Sequence, residues 1–184
     1  MNSSQATQAR TSVLEAADYL RSSGIRLPHF QITTEPPEGR IPIGNSFVDG
    51  SEDSIRLNMG YYPTAFQRRW FAMHELGHIL WATHQPLRWP RFREEFGEPQ
   101  PKDYEGLAVK LGWVTVGAWK ASWLTGPHRP KGEPSWYGAR GGGAERFCEL
   151  LGLMWANADF TTEPPGDLAD LWHTCWHHGL ARMT

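Results

Sequence analysis

Residues 64–83 constrain this chain more than any other stretch. Thr64-x-x-Gln67 has the form of a capping box, which starts a helix. Phe66, Trp70, Phe71, Met73, Gly77 and Leu80 then place apolar surface on nearly every side, and Pro86 stops the run. A helix that is apolar all round is buried, so the rest of the chain must wrap it. With 184 residues, one domain spanning 1–184 is expected, with a sizeable core. Residues 1–10 are polar and expected to be disordered. Val13, Leu14, Ala17 and Leu20 recur at helical spacing, which predicts a helix over about 10–23 ending near Gly24. Short β-like runs follow at Phe30-Gln31-Ile32-Thr33, Ile41-Pro42-Ile43 and 54–58, separated by Pro-Pro, Gly-Asn and Asp-Gly turn signals. The fold class expected from this order is α+β, a small twisted sheet packed on the central helix with a helical part at the C-terminus.

The second half is less regular. Residues 85–140 are rich in Pro, Gly, Trp and Arg, the pattern of a loop-rich insertion. A short helix is possible over 103–111. Trp113, Trp119, Trp123 and Trp136 fit either an apolar cleft or a core. After the joint Gly141-Gly142-Gly143, residues 144–158 read as a helix with Phe147, Leu150, Leu151, Met154 and Trp155 on its apolar side. A last helix is expected over 167–178, with Leu168, Leu171, Trp172 and Cys175 facing inward.

The central helix contains His74-Glu75-Leu76-Gly77-His78. Two His four residues apart leave a helix on one face and can share one metal ion, and the Glu between them can take a proton from water at an open coordination position. Catalytic zinc needs a third protein ligand, and three candidates compete. Glu145 lies on the helix Ala144-Glu145-Arg146-Phe147-Cys148-Glu149, with Glu149 one turn on and suited to accept a hydrogen bond from a ligating imidazole. His84 completes an i, i+4, i+10 spacing, but that arrangement needs a glycine at i+7 where the chain leaves the helix, and Trp81 stands there. The C-terminal group His173, Cys175, His177 and His178 includes a further i, i+4 His pair with no acidic residue between. Glu145 fits best.

His74-Glu75-Leu76-Gly77-His78, Tyr137-Gly138 and Ala144-Glu145-Arg146-Phe147-Cys148-Glu149 together resemble the anthrax lethal-factor-like gluzincin peptidases, whose second motif is similar to Glu-Phe-Phe-Ala-Glu with a Tyr upstream. The resemblance implies a zincin fold, Zn2+ as cofactor, Glu145 as third ligand, Glu149 as supporting acid, Glu75 as general base and Tyr137 as a hydroxyl near the scissile carbonyl. Tyr137 lies one residue farther from the Glu than that pattern has, and Cys148 replaces an Ala. Arg56-Leu57-Asn58 and Arg68-Arg69-Trp70-Phe71-Ala72-Met73 resemble the ImmA/IrrE peptidases instead. Their later motif would put Gly143 at the ligand position, which counts against them. Both resemblances imply zinc-dependent endopeptidase chemistry on a protein or peptide substrate. The alternatives are an inactive binding module on the same fold and a closed structural zinc site.

Composition excludes other classes. Net charge is −2 with no basic stripe, so nucleic acid is a poor partner. No run of about 18 apolar residues is present, so no membrane span is expected. The first residues lack a signal-peptide pattern, which makes the cytoplasm the default compartment while leaving signal-less export open. Two cysteines, Cys148 and Cys175, both fall at apolar helical positions and read as buried thiols in preference to a bridge.

Overall fold

A computed structural model describes the chain over residues 3–35, 45–49, 52–58, 65–97, 132–135, 138, 142–157 and 166–184. The helix around which the rest is built, α2, runs Ala65–His84. Trp70, Phe71, Ala72, Met73, Leu76, Ile79 and Leu80 are all buried along it, as an all-round apolar pattern requires. Two helices flank it, α1 (Ser3–Ser22) and α4 (Gly143–Ala156), with α3 (Pro90–Phe96) between α2 and α4 in the chain.

Helix α1 begins at Ser3, so residues 3–10 are helical where their polarity suggested disorder. The reason is Ala9, which is buried on the same face as Val13, Ala16, Ala17 and Leu20 and extends the apolar stripe backward by a turn. The helix closes with Gly24 N–H bonded to the Arg21 carbonyl and Ile25 N–H to the Leu20 carbonyl, a Schellman exit. Ile25 is buried beside it.

The expected α+β class, with a twisted sheet packed on the active-site helix, is corrected. The described residues are mostly helical, and the principal partners of α2 among them are α4 and α1. Three short stretches of extended chain, β1 (Gln31–Glu35), β2 (Asn45–Asp49) and β3 (Glu52–Asn58), pair in the order β1-β3-β2. β1 lies parallel to β3, with Ile32 opposite Ile55, and β2 antiparallel, with Ser46 opposite Ile55. Among the described strand side chains, Ile55 is buried in the core and Ile32 packs against it, partly buried. A helix 20 residues long and apolar on every side needs long apolar ridges against it, and among the described residues α4 and α1 supply most of them. The run 41–43 and the stretch 103–111 lie outside the described residues, as does Thr64 of the capping box.

Helix α3 falls in the segment expected to be loop-rich. Pro90 opens it at the position where a missing N–H costs nothing, and Phe92 and Phe96 turn inward, fully buried. Phe92 stacks on Phe96 with centroids 4.5 Å apart and meets Phe147 of α4 edge-on at 5.5 Å, while Trp81 of α2 lies 5.7 Å from both Phe92 and Phe147. These four rings tie the end of α2 to the beginning of α4. The C-terminal helix expected over 167–178 is in fact a 3-10 turn at Gly166–Leu168, α5 (Ala169–His173), a π-helical stretch Thr174–Gly179 and a last 3-10 turn at Leu180–Arg182. Leu168, Leu171 and Cys175 face inward as expected, and Trp172 is half-buried. No helix among the described residues is long and apolar enough to cross a membrane.

Candidate metal centre

The site arises where α2 and α4 cross closely in opposite directions. Two glycines permit the approach. A Cβ on Gly77 of α2 would sit 2.9 Å from Cys148 Sγ and 3.1 Å from its Cα, and one on Gly152 of α4 would sit 2.8 Å from the Trp70 backbone carbonyl and ring. Residue 77 thus faces 148, and residue 70 faces 152, so the two helices run antiparallel. That register sets His78 opposite Glu145 and His74 opposite Glu149. The i, i+4 spacing on each helix puts all four side chains in the crossing.

His74 Nε2 and His78 Nε2 are 3.2 Å apart, and Glu145 Oε2 is 3.4 Å from each. Ligands held about 2.0–2.1 Å from a tetrahedral zinc stand about 3.3–3.4 Å from one another. Two imidazole nitrogens and one carboxylate oxygen therefore have the chemistry and the mutual spacing of three corners around one such ion. Among the described residues, His74, His78 and Glu145 are the one group of three His, Cys, Asp or Glu able to gather on a metal. On the far side of His74, Nδ1 lies 2.8 Å from Glu149 Oε1. Glu149 is 1% exposed, and its contact with Nδ1 fixes which nitrogen of His74 points at the centre. The Trp70 ring, 5.0 Å from the His74 ring, closes another side. Glu75, next along α2, is also buried, and its negative field reaches His74.

Charge is concentrated here. Burial opposes a charge on His74, but the carboxylates of Glu145 and Glu149 outweigh it and lift its pKa to about 10 in the metal-free protein. Burial likewise works against ionised Glu145, and contact with His74 and His78 overcomes it, holding the carboxyl well below the usual carboxylate range. Cys148 is different. Burial pushes its thiol far up, and Glu145, Glu75 and Glu149 around it push further, so it is a packing residue and no nucleophile. Access is one-sided. The side chains of His78 and Glu145 keep 22% and 20% of their surface, against 6% for His74, so the centre opens toward solvent past His78 and Glu145.

The other candidates are elsewhere. The helix continues through Trp81, and the chain first turns left-handed at Gln85, φ 46°, four residues late for His84 to reach back. His84 Nε2 instead lies 2.7 Å from the Arg26 carbonyl and pins the α1 exit to the end of α2. His173 and His177 have ring centroids 4.5 Å apart on an exposed face. Cys148 and Cys175 are both buried and free. Tyr137 lies outside the described residues, as do Trp113, Trp119, Trp123 and Trp136. Sequence reasoning gave Trp70 and Arg146 no part in the site. Their positions, one turn before His74 and one residue after Glu145, are the only signal that the sequence carries for them. A comparison with known proteins finds no family model, no curated protein and no solved structure that matches the chain.

Proposed function

We propose that this protein is a zinc-dependent endopeptidase of the gluzincin type, with His74, His78 and Glu145 as metal ligands and Glu75 as general base. The observation that carries the proposal is the spacing of the three donor atoms, 3.2, 3.4 and 3.4 Å, on two helices that meet through Gly77. Zinc held there supplies a Lewis acid that acidifies water and polarises a peptide carbonyl. The chain supplies the rest. Glu75 is one residue from His74 and buried, so its carboxylate is kept out of bulk water where it can take a proton from the attacking water and return it to the leaving amine. Glu149 holds His74 in one tautomer. The exposed edges of His78 and Glu145 leave the approach for an extended peptide on that side.

The test is Glu75→Gln, assayed for zinc content and for cleavage of a peptide library. The variant keeps about one zinc per chain and loses cleavage by roughly 10²–10⁴-fold, the usual contribution of a positioned general base. Unchanged cleavage in the variant, or wild-type protein purified without near-stoichiometric zinc, overturns the proposal.

A further inference from the structure

Glu145 occupies a weak place on its helix. It is the third residue of α4, which starts at Gly143 with Gly142 before it at φ 86°, and no side chain caps that first turn. The sequence Gly141-Gly142-Gly143 makes the turn costly to order, since glycine loses more backbone freedom than any other residue. A first turn without a side-chain cap opens more easily than a capped one. A carboxylate on it would move in and out of reach of His74 and His78.

Arg146, the next residue, meets that problem. Its backbone N–H makes the first turn's hydrogen bond to the Gly142 carbonyl, 2.9 Å. Its guanidinium then reaches three acceptors on two separate pieces of chain. Nε donates to Glu133 Oε2 at 2.6 Å, Nη2 to the Gly132 carbonyl at 3.5 Å, and Nη1 to the Glu95 carbonyl in α3. The group also lies over the Phe96 ring, 5.6 Å from its centroid. The segment it grips is itself anchored, because Gly132 N–H donates to Asp167 Oδ2 at 3.1 Å and Gly138 N–H to the buried Ser135 Oγ at 2.9 Å. Gly138 abuts α4 directly, and a Cβ there would be 3.2 Å from Arg146 Cα and from Glu149 Cβ. The Arg146 and Glu133 side chains are only 21% and 18% exposed, so the pair is not a loose surface ion pair.

We propose that Arg146 is a positioning residue for the metal centre. Its guanidinium caps none of the turn's N–H groups, being a donor itself; it clamps the first turn of α4 between α3 and the segment 132–135, and thereby holds Glu145 in place against His74 and His78. The proposal rests on the assignment of Glu145 as a ligand. A planar fork with five donors suits a clamp of this kind, and lysine would recover only part of it.

The full-length chain is compared with Arg146→Met, Arg146→Lys and Glu133→Gln by zinc titration against a chromogenic chelator, by hydrogen exchange of the metal-free protein and by thermal unfolding. Arg146→Met binds zinc about 10–100-fold more weakly, the range found when a partner supporting a ligand is lost. Amides 143–147 exchange faster, while α1 keeps its protection. Arg146→Lys recovers part of the affinity. Glu133→Gln, which keeps its shape, loses several-fold and carries the test if Arg146→Met does not fold. Wild-type zinc affinity in folded Arg146→Met overturns the proposal, even with a lower Tm, because the clamp would then serve stability alone. So does wild-type affinity in Glu133→Gln where Arg146→Met does not fold. Wild-type protein that takes up no zinc overturns the assignment of Glu145 as well, whereas normal uptake by both wild type and variants overturns only the role of Arg146.

Discussion

The chain carries two His pairs at i, i+4 spacing, and they differ in everything but spacing. His74 and His78 have ring centroids 5.0 Å apart, and His173 and His177 have theirs 4.5 Å apart. The first pair faces a second helix that presents Glu145 and Glu149 across a glycine contact, and His74 is buried. The second pair is exposed on the C-terminal segment, edged by the Trp172 ring 6.1 Å from His177, and joins no metal-competent group among the described residues. Two histidines on one helix face are therefore cheap, and the facing helix decides what they can hold.

The sharpest way to break the comparison is His78→Ala, which removes one proposed ligand from the first pair. Zinc affinity should fall by more than the roughly 10–100-fold that loss of a mere supporting partner costs, and metal analysis of the purified protein should find well under one zinc per chain. Next is a wedge between the helices. Gly77→Val sets a branched side chain where even a Cβ would be 2.9 Å from Cys148 Sγ and 3.1 Å from Cα, a backbone atom that cannot swing aside. Overpacking of this kind costs about 1–3 kcal/mol, and helix propensity returns only a fraction of that. Denaturant unfolding should show the loss, with weaker zinc binding because Glu145 and Glu149 move with α4.

A third effect comes from pH. The metal-free His74 titrates at about 10, above its ordinary 6.5. The stability from its proton is thus fully present below about 6.5 and is lost as pH rises through about 10. Metal-free protein should melt at progressively lower temperature across that window. Zinc must displace the same proton, so its affinity should rise over the same range. The smallest effect belongs to the second pair. His173→Ala with His177→Ala should shift stability within about 0.5 kcal/mol per exposed site and leave zinc content unchanged.

What could be read from the sequence follows the same division. The position of α2, its His pair and the helix bearing Glu145 and Glu149 were legible, because each rests on a long periodic pattern or on an i, i+4 repeat. The α+β class was not. Short runs such as 54–58 carry the local marks of strands, but nothing local says whether strands or helices will cover α2, and the helices do. Helix α3 is seven residues long and begins after Trp89, too short to show periodicity in a stretch crowded with Pro and Arg. The π-helical turn at Thr174–Gly179 has no sequence signature, and there Phe92 of α3 lies so close to Gly179 that a Cβ would be 2.7 Å from the ring. Arg146 illustrates the limit most clearly. Its partners are 13, 14 and 51 residues away along the chain, and only the tertiary fold joins them.

Zinc content tests the account most directly, measured side by side on wild type, Glu145→Gln and the double variant His173→Ala/His177→Ala. One zinc per chain in wild type and in the double variant, with little left in Glu145→Gln, is the result expected of a centre built by α2 and α4. Full zinc in Glu145→Gln, or loss of zinc from the C-terminal double variant, would contradict it.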